Sequence, residues 1–232
     1  MNDIRDFELI YDKFDRRFKL KKTVNLIISV IIFLLGIVPM YLVFAFKEGI
    51  YALRFLTVNG TLFTMLGAFV FIFINLYEII SGKEMTRIWM YFLRLSCAVS
   101  ESVIMIVVLI GFLIGDRYPL DEWDEMITHG IMPVLVVLSF ITNDSPIGKV
   151  TPLKRLNGTW FITVYGVVVI SLFACKVIPM DMIPYPFLDP NVLPPVLIVG
   201  SVVLIYLIAF LVATLLYRLN RKLSWLWFRG AA

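Results

Sequence analysis
The chain is short of charge and nearly without the residues that build metal or redox centres. Only 16% of its 232 residues are Asp, Glu, Lys or Arg, and it has two cysteines and a single histidine. Soluble domains carry about a quarter charged residues, so the makings of a water-facing surface are missing. One histidine excludes a multi-histidine metal site. Two cysteines exclude a disulfide-stapled scaffold, and the same composition excludes collagen-like and disordered classes. No internal repeat, low-complexity tract or heptad seam is present. Apolar residues are what the chain has in excess, at 60% of the total with a mean hydropathy of +0.91. A polytopic membrane protein of one domain is left. Its net charge of +4 then bears on orientation in a bilayer, and nucleic acid is not an expected partner.

Six apolar stretches are candidate spans, over 23–46, 55–80, 88–114, 127–142, 159–178 and 196–217. A ~30 Å hydrocarbon core takes about 20 helical residues. Five stretches reach that length, and the fourth does so if Asp124–Met126 extend it or the bilayer is thin there. The 21 Lys and Arg residues are unevenly spread between the loops. Arg5, Lys13, Arg16, Arg17, Lys19, Lys21 and Lys22 precede the first span. Lys83 and Arg87 lie in the second loop, and Lys149, Lys154 and Arg155 in the fourth. Arg218, Arg221, Lys222 and Arg229 follow the last span, whereas the opposite side has only Lys47, Arg54 and Arg117. By the positive-inside rule this predicts an all-α protein of six transmembrane helices, 23–217, with both termini cytoplasmic.

No cleavable signal peptide is visible at the start. Over 1–22, Ile4, Phe7, Tyr11, Phe14 and Phe18 recur at helical spacing beside basic residues, which predicts an amphipathic helix at the membrane interface. Over 218–232, Trp225, Trp227 and Phe228 among Arg and Lys predict a second anchor. Cys97 and Cys175 fall at different depths, so two free, buried thiols are expected.

Polar groups inside a bilayer are costly and therefore informative. In the second span Thr57, Thr61, Thr64, Asn75 and Glu78 share one helical face, which should point into the bundle. A single threonine there is cheap, because its hydroxyl can bond back to a carbonyl one turn earlier. In the third span Arg94, Cys97 and Glu101 share a face. Glu78 and Arg94 lie at similar cytoplasmic depth and are expected to form a structural ion pair. Glu101 sits near mid-membrane with no evident cation and is expected to be neutral.

His129 opens the fourth span and Thr57 opens the second, and both spans run inward from the outer face. A lone histidine at a boundary commonly serves as an interfacial or helix-end group. Its matched depth with Thr57 adds a second possibility, since an imidazole beside a hydroxyl is the minimum for nucleophilic catalysis. The proline-dense loop 179–195 also lies outside, and its Tyr185 and Phe187 are either a stiff cap or an aromatic lip over a pocket.

Three short motifs carry a resemblance: Arg54-Phe55-Leu56-Thr57-Val58-Asn59, His129-Gly130 with Pro133, and Tyr185-Pro186-Phe187-Leu188-Asp189. Together they resemble the androgen-induced-gene-1 family and its bacterial six-helix relatives, over about 50–190. The resemblance implies an intramembrane threonine hydrolase, in the plasma membrane of a bacterium, that cleaves fatty acid esters of hydroxy fatty acids. It implies Thr57 as nucleophile, His129 as the essential histidine, and no cofactor or metal.

On that reading His129 takes the Thr57 proton as the hydroxyl attacks an ester carbonyl, then passes it to the departing alcohol. Amides at the start of the second helix, or Asn59, are candidate oxyanion donors. Thr61, Glu101 and Tyr185 are candidate pocket residues, and no third group that orients His129 stands out. The expected partner is a membrane lipid or amphiphilic ester. Two other classes stay open: a transporter using Glu101, Arg94 and the threonine stripe, and a membrane scaffold using none of them.

Overall fold
A computed structural model describes residues 2–85, 87–114, 122–142, 150–179 and 182–229, and every regular element among them is helical. The first helix, α1 (Asn2–Leu42), runs into a π turn (Val43–Lys47) and a 3-10 turn (Gly49–Arg54) that delivers the chain to α2 (Leu56–Ser81). Helix α3 (Ile88–Ile114) follows. A composite rod is next, built from α4 (Trp123–Met126), a π turn (Ile127–Ile131) and α5 (Met132–Thr142). Then come α6 (Pro152–Arg155), a 3-10 turn (Leu156–Gly158) and α7 (Trp160–Ala174). A last short turn (Pro186–Leu188) precedes α8 (Pro195–Arg229).

The boundaries have local causes. Gly82 takes φ +64° and its amide closes on the Glu78 carbonyl at 3.0 Å, ending α2 in the left-handed conformation that glycine adopts at no steric cost. Pro195 opens α8 at the position where a missing N–H costs nothing. Pro133 has no amide to give the His129 carbonyl four residues back. The chain there widens into a π turn, with the Met132 amide reaching the Ile127 carbonyl.

Five of these helical segments are long and apolar enough to cross a membrane: Phe18–Lys47, Leu56–Ser81, Ile88–Ile110, Trp123–Thr142 and Pro195–Leu223. A sixth crossing is available if Pro152–Gly158 and Trp160–Ala174, bent by 59° at their junction, count as one span. The fourth reaches full length because Trp123–Met126 extend it, one of the two routes its sequence allows. The fifth is shorter than its apolar run, since α7 alone has 15 residues. Its bend is packed closely: a Cβ on Gly158 would lie 2.8 Å from the Leu95 Cγ.

The N-terminal 22 residues are not a separate interfacial element. They continue into the first span as one helix of 41 residues, ~60 Å long and about twice the hydrocarbon thickness. The side chains of Ile4, Phe7, Tyr11 and Phe14, and those of Trp225, Trp227 and Phe228, lie outside the described residues.

Helix α3 is the axis of the bundle. Over its most apolar stretch 56% is buried, against 11% for α8, and it packs on α2, α5 and α8. Helices α2 and α3 approach at small residues: a Cβ on Gly60 would meet the Ile104 Cδ1 at 2.4 Å, and one on Gly67 the Cys97 Sγ at 2.8 Å. Leu95, Val99, Val103, Met132 and Phe140 fill the centre. The large apolar side chains exposed along α1, α2, α7 and α8 are what a helix shows to lipid. Both cysteines are free thiols, but only Cys97 is buried; Cys175 sits exposed just past the end of α7, where the helix stops short of the predicted span.

Candidate functional site
The first turn of α2 is held by a ring of short polar contacts. Tyr165 on α7 donates its hydroxyl to the Arg54 carbonyl, and the Leu56 amide donates to the Tyr185 hydroxyl at 2.8 Å. The Thr57 amide and hydroxyl also lie in hydrogen-bonding reach of the Tyr185 oxygen, as does the Tyr165 phenol. Proton counting fixes a direction. Tyr165 has one proton and spends it on Arg54, so it accepts from Tyr185, and the Tyr185 oxygen is left to accept from Leu56 and Thr57. Burial pushes the Tyr185 phenol up, against the downward pull of these donors, so it stays protonated near neutral pH. Its ring stacks on Phe187 with centroids 5.1 Å apart. The proline-rich loop is thereby pinned onto the start of α2.

Asn59 is not free to stabilise an oxyanion. Its amide nitrogen donates to the Leu53 carbonyl at 2.6 Å and the Phe55 carbonyl at 2.8 Å, tying the 3-10 turn to α2. The residues between Leu53 and Asn59 form a compact corner whose carbonyls need donors, and Asn59 is the nearest.

His129 lies in the π turn of the fourth rod. Its Nε2 is 2.8 Å from Glu125 Oε2, and its side chain is 11% exposed. The opposite nitrogen, Nδ1, is buried and has no hydrogen-bond partner. A carboxylate on Nε2 holds the hydrogen there and leaves Nδ1 as an unprotonated lone pair. Glu125 is the orienting group that sequence reasoning passed over, although its four-residue spacing from His129 on a helix was a usable signal. Lys47, at the end of the first span, binds Glu122 and also Asp124, the latter at 2.8 Å, and so fixes the start of the rod that carries His129. Among the described residues Thr57 and His129 are not hydrogen-bonded to each other: Thr57 faces Tyr185 and His129 faces Glu125.

Deeper in the bundle the threonine face of α2 is buried as expected. Thr61, Thr64, Asn75 and Glu78 are 0–3% exposed, whereas Thr57 at the mouth is half-buried. Glu101 is fully buried and neither carboxyl oxygen has a hydrogen-bond partner; Thr64 faces it without closing a bond. The cation on Glu78 is Lys22, at 3.0 Å, and not Arg94. Lys22, which the sequence assigns to the tail, is buried because α1 continues unbroken past it. Glu78 also accepts from the Met85 amide at 2.7 Å. Arg94 lies over the Phe71 ring, 3.8 Å from its centroid, beside a cavity of about 20 Å³ lined by Ser29, Thr64, Cys97 and Ser139.

A larger cavity, about 60 Å³, lies between α3, α7 and α8. Val107, Val169, Val202 and Ile205 line its apolar length, and the Tyr165 and Tyr185 rings close one end. Thr57 therefore stands where a polar knot meets an apolar cavity. Among the described residues no group of His, Cys, Asp and Glu side chains is arranged to hold a metal ion.

No protein-family model, no curated protein and no solved structure matches this chain.

Proposed function
We propose that the protein is an intramembrane hydrolase of lipid esters, of the fatty acid ester of hydroxy fatty acid type, with Thr57 as nucleophile and His129 as base. Six spans with both termini cytoplasmic put the two residues at the outer face. The observation that carries the reading is the imidazole held by Glu125 on one nitrogen, with the other buried, unprotonated and unpartnered. That is the state of a general base awaiting a proton.

In the reaction, the Thr57 hydroxyl leaves Tyr185, gives its proton to His129 Nδ1 and attacks the ester carbonyl. The tetrahedral adduct expels the alcohol, which takes that proton from Nδ1. Water then attacks the acyl-threonine, passing one proton through Nδ1 back to the Thr57 oxygen, and the free acid departs. The Leu56 and Thr57 amides, with the Tyr185 hydroxyl, are the donors for the oxyanion. Catalytic hydrogen bonds commonly tighten only when substrate is bound, which accommodates a resting Thr57 turned toward Tyr185.

The test is release of free fatty acid from such an ester by the purified full-length protein in lipid nanodiscs. Thr57→Ala and His129→Ala are each expected to lower the rate at least a hundredfold. Wild-type turnover in both variants overturns the assignment.

One observation favours a second reading. Glu101, with no partner on either oxygen at mid-bundle, is the kind of group that carries protons or cations in transporters. Proton-coupled uptake into proteoliposomes that is lost in Glu101→Gln, without any hydrolysis, selects it instead.

A further inference from the structure
The cavity between α3, α7 and α8 has a feature that bundle packing does not require. Helices α7 and α8 scarcely touch along their lengths, although each packs on other elements. The gap is closed above by the Pro186–Leu188 turn against α8 and below by the Leu156–Gly158 turn. Between these two closures it opens sideways. Val164, Val167, Val168 and Ile170 of α7, and Val199, Val203 and Leu207 of α8, are exposed along its flanks. Gly166 keeps the middle of the gap open, since a Cβ there would only just reach the Tyr206 hydroxyl at 4.0 Å.

The inner end is different in kind. There the Tyr165 and Tyr185 hydroxyls meet the Arg54 carbonyl and the Leu56 and Thr57 amides. An apolar slot open to the bilayer side and ending on hydrogen-bonding groups fits one class of occupant. We infer that this cleft is a lateral binding site for a single acyl chain, whose oxygen-bearing end seats against Tyr165 and Tyr185 beside Thr57.

The cavity of about 60 Å³ takes the first few carbons, and the rest of the chain lies along the α7–α8 gap in contact with lipid. A second bulky chain has no room beyond the two turns that close the cleft, so the site selects an amphiphile with one chain near its polar end. A head group larger than an ester or carboxyl meets the pinned Pro186–Leu188 turn. The inference rests on the ester-cleaving reading for what happens at Thr57, but occupancy of the cleft is measured separately from cleavage.

The experiment uses the full-length protein in nanodiscs with a long-chain fatty acid bearing a mid-chain diazirine. After irradiation, labelled peptides are mapped by mass spectrometry. Label is expected to concentrate on residues 162–170 and 202–206. Filling the gap with Gly166→Leu, or with Ile205→Trp as an independent block, is expected to cut that label at least fivefold, while Gly166→Ala leaves it near wild type. Excess unlabelled oleic acid competes; a plain alkane of equal length, lacking the polar end, competes poorly. Label spread evenly over all lipid-facing helices, or unchanged in both blocked variants, overturns the site. Thr57→Ala separates the two ideas. Label retained with hydrolysis lost supports both, label retained with hydrolysis intact removes only the nucleophile assignment, and label lost from the cleft removes the site.

Discussion

Glu125 reaches His129 from one helical turn away, and its effect on the imidazole has a measurable signature. Glu125→Gln keeps the size of the side chain but removes the charge that holds the hydrogen on Nε2. We expect kcat to fall roughly ten- to a hundredfold with KM little changed, and the alkaline and acid limbs of the pH–rate profile to move; an unaltered profile would make the pair merely structural. Tyr185 gives a second expectation. Its phenol is pushed up by burial in the folded protein, whereas in the unfolded chain it ionises near pH 10. Above that pH the unfolded state releases a proton the folded state keeps, so stability falls as pH rises. In Tyr185→Phe the slope of thermal midpoint against pH, between 9.5 and 11, should be shallower. The identities of Thr57, His129 and Tyr185 were legible in the sequence, because polar groups stand out in an apolar chain. Their partners were not: the Thr57–Tyr185 contact joins α2 to a loop 128 positions later, and no periodicity within one helix reports on that.

Helix irregularities carry as much as helix identities here. The π turn exists because Pro133 withholds an amide, and it sets the direction in which His129 points. Pro133→Ala lets the rod close into regular α-helix, rotating residues ahead of the turn by about 100° relative to α5. The expected outcome is a higher thermal midpoint together with loss of hydrolysis, a trade that separates strained geometry from simple unfolding. Circular dichroism melts and the fatty acid release assay on one preparation read both. Periodicity and hydropathy foretold where α2, α3 and α8 lie, and Pro195 foretold where α8 starts. Neither foretold that α1 would swallow the N-terminal segment or that α7 would break at Gly158. Continuity across Lys21 and Lys22 depends on Lys22 finding Glu78 at 3.0 Å, and the bend depends on Leu95 and Ala213 lying beside Gly158. Both are tertiary causes.

For the molecule as a whole, composition was decisive for class and charge distribution for the expected sidedness, whereas the fifth crossing is where the count turns. Cys175 lies exposed at the end of α7 and Cys97 is buried in the bundle. If the bent pair is a true span and both termini are cytoplasmic, a membrane-impermeant maleimide applied to intact cells labels the wild-type protein once. That label disappears in Cys175→Ser and persists in Cys97→Ser. Labelling only after the cells are opened would place the end of α7 inside and remove that crossing.

Helix α8 has the last consequence. With only 11% of its most apolar stretch buried against protein, its tilt and distance from α7 are governed by the pressure of surrounding hydrocarbon more than by its own contacts. Solvating the protein with shorter or longer phospholipid tails should therefore act as a mechanical adjustment of the α7–α8 spacing. Bilayer thickness becomes an input to ligand access, even though no amino acid has changed.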